Sequence, residues 1–178
     1  ISLLLITSLA TASLAALAVQ AVAGIAIDVN TLPVQAIGVG VGILSLLWRV
    51  RFTYEGGDGP ATAVLKLPHT VGGARQTADA FSFYGREVNF YREIGHRTPL
   101  GTPDLYASNY EPTTKDFVLL LEDVGSRRQY DQLDGCPVDE ALVAARELAA
   151  HHAWYWQDQE IIGADWTFRT CDPPNPPA

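Results

Sequence analysis

Residues 1–27 contain no charged side chain. The chain opens on Ile1-Ser2-Leu3-Leu4-Leu5-Ile6 and runs alanine-rich to Ile27. An uncharged stretch of this length is a transmembrane candidate. Other features favour a helix lying on a domain surface. Thr7, Ser8, Thr11, Ser13 and Gln20 are polar, Gly24 interrupts the run, and Leu9, Leu14, Leu17 and Ala18 keep helical spacing. A secretory signal would need a basic start, and the first positive charge is Arg49. The soluble packing helix is the favoured expectation, with a membrane anchor or aberrant sequence at a fragment's edge as the alternatives.

From Asp28 the period shortens. Val29, Leu32, Val34 and Ile37 read as a strand, which Pro33 places at a sheet edge. Residues 46–54 alternate after Trp48 and predict a second strand. The glycine-rich turn Glu55–Pro60 leads to a third strand over 62–67, closed by Pro68. Residues 69–78 are polar and read as a loop. Ala78 to Ile94 predicts one helix with Tyr84, Val88 and Tyr91 on a face, stopped by Gly95. Strands four and five are expected at 105–110 and 117–121. A second long helix is expected over 139–156, with Val138, Leu142, Ala145, Leu148 and Ala149 apolar. The proline-rich residues 173–178 read as a tail or linker. The predicted class is α+β: a five-stranded, mostly antiparallel sheet carrying a packed helix.

Composition supports a folded chain. Of 178 residues 48% are apolar and 18% charged, enough for one domain with its own core. The net charge of −8 argues against a nucleic-acid binder, and the cations Arg49, Arg51, Lys66, Arg75, Arg86, Arg92 and Arg97 are scattered. Cys136 and Cys171 show no zinc-like spacing and no CxxC, so no metal site is assigned. Two free thiols fit a reducing, cytoplasmic setting, with a disulfide between them as the alternative. The sequence has no methionine, which predicts a fragment of a longer reading frame.

Three features carry chemistry. Gly38, Gly40 and Gly42 stand at alternate positions between two predicted strands. Without Cβ atoms, such a loop can bring backbone N–H groups to phosphate oxygens. As a strand follows it, this is not the dinucleotide fingerprint. Lys66 lies inside an apolar strand, where an ammonium needs a partner or a ligand. Glu87 sits mid-helix, 21 residues further on. Singly, the glycines read more readily as turn residues, and Lys66 and Glu87 read equally well as solvent-facing charges. Together, a glycine loop, a strand lysine and a helix glutamate follow the layout of a kinase nucleotide lobe. The expectation is a Lys66–Glu87 ion pair across the strand–helix gap.

The sequence also resembles the phosphotransferase family of aminoglycoside kinases, choline kinases and ecdysteroid-kinase-like proteins. The resemblance rests on Tyr54–Pro60 leading to Leu65–Pro68, and on Tyr84–Glu93. Phe117–Asp123, Gly135-Cys136-Pro137 and Leu148–Trp156 follow in order. It covers roughly residues 30–166 and implies a protein-kinase-like amino-terminal lobe over 28–124 and the start of a truncated second lobe over 125–178; the apolar helix 1–27 precedes it. It further implies that Lys66 contacts ATP phosphates with Glu87 as its partner. Leu120, Leu121, Glu122 and Asp123 would form a hinge whose backbone binds adenine. The family's His-Gly-Asp-x-x-x-x-Asn segment and its metal-binding Asp have no counterpart; His151-His152-Ala153 does not match and reads as structural. No catalytic residue and no Mg ligand is therefore assigned. The expected function is a fragment of an ATP-dependent kinase for a small hydroxylated acceptor, inactive as it stands. The alternative is a non-catalytic module that binds nucleotide or a partner.

Overall fold

The computed structural model describes residues 44–52, 59–69, 72–131 and 133–167, and the backbone of Val34–Ile37. The apolar segment 1–27, Gly38, Gly40 and Gly42, the turn residues 53–58, Cys171 and the proline-rich tail lie outside the described residues. Cys136 is an exposed free thiol.

The architecture is α+β. Four seven-residue strands form an open antiparallel sheet: β2 (Ser45–Arg51), β3 (Thr62–Pro68), β4 (Leu105–Glu111) and β5 (Asp116–Glu122). The four-residue segment β1 (Val34–Ile37) is in antiparallel register with β2, giving the order β1-β2-β3-β5-β4. β5 runs between β3 and β4, which explains its unbroken apolar stretch Phe117–Leu121: both faces of a central strand are covered.

Alternation along β5 sorts the core into two halves. Phe117, Leu119 and Leu121 pack on the helical side with Ala78, Tyr84 and Val88. Val118 and Leu120 pack on the opposite face with Val50, Ala63 and Leu65, flanked by Trp48, Phe52 and Leu67. Each fully buried Leu or Val contributes roughly 1.5–3 kcal/mol.

The segment read as one helix from Ala78 to Ile94 is in fact three pieces. α1 (Gly73–Ala80) begins within the residues expected to be loop. α2 (Phe83–Asn89) follows, and a π-helical turn (Phe90–Gly95) completes it. The break falls at Ser82, whose φ of 52° is left-handed. A residue in that conformation ends an α-helix. The Ser82 carbonyl then accepts from the Arg86 amide and starts the next helix. α1 escaped the sequence pattern because Ala78 is its one buried residue, too little to show a helical period. It is held by polar bonds instead. The Arg75 guanidinium donates to Asp79 and to Asp116 at 2.8 Å each, and lies 5.7 Å from the Tyr84 ring centroid.

α3 (Val138–Trp154) is slightly shorter than the predicted 139–156, and α4 (Gln159–Ile162) follows it. None of the residues of α3 is buried; Val138 is 77% exposed and Trp154 64%. Polar contacts tie this region to the end of the π turn. Thr98 Oγ1 and His151 Nδ1 are 2.6 Å apart, and Trp166 Nε1 donates to Glu93 at 2.7 Å. Among the described residues no helix is long and apolar enough to cross a membrane.

Candidate functional site

Opposed residues in an antiparallel sheet share a face. Leu47, Lys66 and Leu119 form one such row across β2, β3 and β5. Arg49, Val64 and Leu121 form the next. Leu119 and Leu121 belong to the helical side, so Leu47, Arg49, Val64 and Lys66 face that side too. Leu47 and Val64 are half-buried, leaving apolar surface beside Lys66.

The ion pair expected from the sequence is formed. Lys66 Nζ stands 2.5 Å from Glu87 Oε1, with the two side chains 22% and 30% exposed. α2 aims Glu87 at the sheet because its other face is locked down. Tyr84 stacks on Phe117 with centroids 4.5 Å apart and donates its hydroxyl to the Leu44 carbonyl at 2.6 Å. Gly85 lets the helix approach β4: a Cβ there would lie 2.9 Å from the Tyr110 ring. Burial pushes the Tyr91 phenol pKa up, and the neighbouring Glu87 carboxylate adds to the rise.

A second pair anchors the far end of this face. Arg49 Nε donates to Asp123 Oδ2 at 2.5 Å and Nη2 to Oδ1 at 3.1 Å, a two-pronged contact. The Asp123 side chain is 8% exposed and also accepts from the Gly125 amide at 3.0 Å. The Arg49 guanidinium holds the Asp123 carboxyl pKa below its ordinary value, helped by the Gly125 amide and the Thr62 hydroxyl and opposed by burial. From the sequence Arg49 was only one of the scattered cations. The available signal was the one that marked Lys66, a cation in an apolar strand.

The four residues expected as a hinge are not equivalent. Leu120 and Leu121 lie inside β5, in register with Leu65 and Val64, and their side chains are buried. The Glu122 amide donates to the Asp104 carbonyl at 2.8 Å, and Glu122 is the last residue of β5, opposite Ala63. Asp123 is the first residue beyond the strand. Gly38, Gly40 and Gly42 follow Ile37, the partner of Leu47, which is itself the partner of Lys66. Among the described residues no group of three or more His, Cys, Asp and Glu side chains is placed to hold a metal.

This face offers a partly exposed ammonium that can exchange a carboxylate for another anionic oxygen, a half-buried apolar strip beside it, and a chain segment leaving the sheet at the far end. Compared with models of protein families, with curated proteins and with solved structures, the chain finds no match.

Proposed function

We propose that this chain is the nucleotide-binding lobe of an ATP-dependent small-molecule kinase, one that phosphorylates a hydroxyl group on its acceptor. The observation that carries the reading is the Lys66–Glu87 ion pair at 2.5 Å, between the third strand and a helix preceding the fourth. In protein kinases a lysine on the third strand, held by a helix glutamate, contacts the nucleotide phosphates, and the pair must be in place for activity. Lys66 would take the phosphates and Glu87 would hold it. Val64 and Leu47 would support the base, and the backbone from Glu122 and Asp123 onward would meet its edge. The glycines 38, 40 and 42 are the proposed phosphate loop. Magnesium would arrive with the nucleotide, and no metal ligand or catalytic residue is proposed within these 178 residues. What the chain is proposed to do by itself is bind nucleotide.

The test is equilibrium titration of the purified chain with Mg·ATP, for the native sequence and for Lys66→Ala. Native binding should weaken at least tenfold on loss of a charge-assisted phosphate contact. A native chain that does not bind Mg·ATP, or a Lys66→Ala chain that binds as well, would overturn the proposal.

A further inference from the structure

The carboxylate of Asp123 is the most heavily engaged acidic group on the site's face. It is nearly buried, it takes two bonds from Arg49 on β2, and it takes one from the Gly125 amide in the turn after β5. One side chain therefore ties β2 to the turn beyond β5. The turn is shaped around the contact. A Cβ at Gly125 would run into the Arg49 guanidinium and the Asp123 carboxylate. The Arg127 amide closes the turn on the Val124 carbonyl at 2.9 Å.

We infer that Asp123, gripped by Arg49, is a positioning residue that fixes the backbone where the chain leaves β5, and so sets how tightly the base end of a nucleotide is held. The inference rests on the nucleotide reading above. It assigns the Asp123 side chain a role distinct from that of Lys66. Lys66 answers to the phosphates, whereas Asp123 acts through the peptide groups beside it and touches no ligand. The pair spans 74 residues of sequence, so the turn's tie to β2 would be lost if the carboxylate lost its charge, leaving only the turn's own local bond from the Arg127 amide to the Val124 carbonyl. Charge-assisted bonds at low exposure are the strong members of their class, and a bidentate guanidinium adds fixed geometry.

Two probes separate the roles. Mg·ATP presents base and phosphates, and Mg·tripolyphosphate presents phosphates alone. Both would be titrated calorimetrically into the 178-residue chain and its Asp123→Asn, Arg49→Lys, Gly125→Ala and Lys66→Ala variants. Asp123→Asn should weaken Mg·ATP roughly tenfold, a charged hydrogen bond's worth, and leave tripolyphosphate within about twofold. Lys66→Ala should weaken both probes. Arg49→Lys keeps the charge and loses the fork, and should fall between native and Asp123→Asn. Amide hydrogen exchange across residues 120–126, read without ligand, should speed up in Asp123→Asn while the strand amides of β3 stay protected. If Asp123→Asn does not fold, Gly125→Ala makes the same comparison with every charge retained. Equal weakening of both probes, or no weakening of either, would overturn the positioning role. A native chain that binds neither probe would sink the nucleotide reading. Unchanged exchange at 120–126 would sink the positioning role on its own account.

Discussion

Breaking the Lys66–Glu87 pair from each side in turn measures what the central contact of the proposed site is worth. The perturbation is a cycle of Lys66→Met, Glu87→Gln and the double variant, chosen to keep side-chain length. Both partners sit between the two usual extremes, with 22% and 30% of their side chains exposed. Exposed pairs couple by about 0.2–1 kcal/mol, and breaking a fully buried pair costs about 3–5 kcal/mol. A 2.5 Å contact that is three-quarters shielded should couple by about 1–2 kcal/mol. The two single losses should be unequal. Lys66→Met leaves the Glu87 carboxylate beside Tyr91 with its cation gone, whereas Glu87→Gln leaves Lys66 an amide oxygen to donate to. Urea unfolding followed by far-UV circular dichroism gives each stability, provided the slope with denaturant stays constant across the set. Moderate salt should reduce the coupling only in part, since a shielded pair is screened less than an exposed one. A coupling below about 0.3 kcal/mol, the scatter expected of independent sites, would refute the reasoning.

Three further outcomes are expected. Gly85→Ala places a methyl 2.9–3.1 Å from the Tyr110 ring; overpacking of about 1–3 kcal/mol exceeds the roughly 1 kcal/mol gain in helix propensity, so thermal unfolding should show a net loss of about 1 kcal/mol. Leu119→Ala removes a fully buried side chain opposite Lys66 and should cost about 2–5 kcal/mol by urea titration; a loss under 1 kcal/mol would mean that the site collapses around the gap. Asp123 has a folded pKa below its ordinary value, because Arg49 bonds the charged form. Its contribution is therefore present above the unfolded carboxyl pKa of about 3.9 and disappears as pH falls through the folded value. The stability gap between native and Asp123→Asn chains should be widest near neutrality and close below about pH 4; a gap independent of pH would contradict the ion pair.

The strands were legible where one rule governs the residues. β3 and β5 are apolar runs bounded by turn residues, and their predicted spans agree with the structure to about a residue at each end. Lys66 stood out because an ammonium inside an apolar strand demands an explanation, and Glu87 because Tyr84 and Val88 mark a packed helix around it. What escaped were features fixed by distant partners. The left-handed Ser82 breaks the helix at a position where the sequence has neither proline nor glycine to announce it. α1 is stabilised through Arg75 by Asp116 and the Thr114 carbonyl, far along the chain. The Asp123–Arg49 pair spans 74 residues, and no periodicity reports a contact of that range. The helix α3 itself was legible, and none of its apolar side chains is buried by the described residues.

The strand order also fixes when the site can come into being. β2 pairs with β3 and β4 pairs with β5 as chain neighbours, so each pair closes a short loop and can form early at little entropic cost. The seam between β3 and β5 is different, because α1, α2, the π turn and β4 all intervene. Arg49, Val64 and Lys66 arrive with the first hairpin, and Leu121 and Asp123 with the second. During synthesis the first hairpin therefore waits, its half of the face unmatched, until β5 has been made. Pairing at such separation is the slow step in folding of sheet proteins. Folding rate should respond most to substitutions along the Leu65–Leu120 seam, and an aborted seam leaves two ordinary hairpins without the Arg49–Asp123 clasp that joins them.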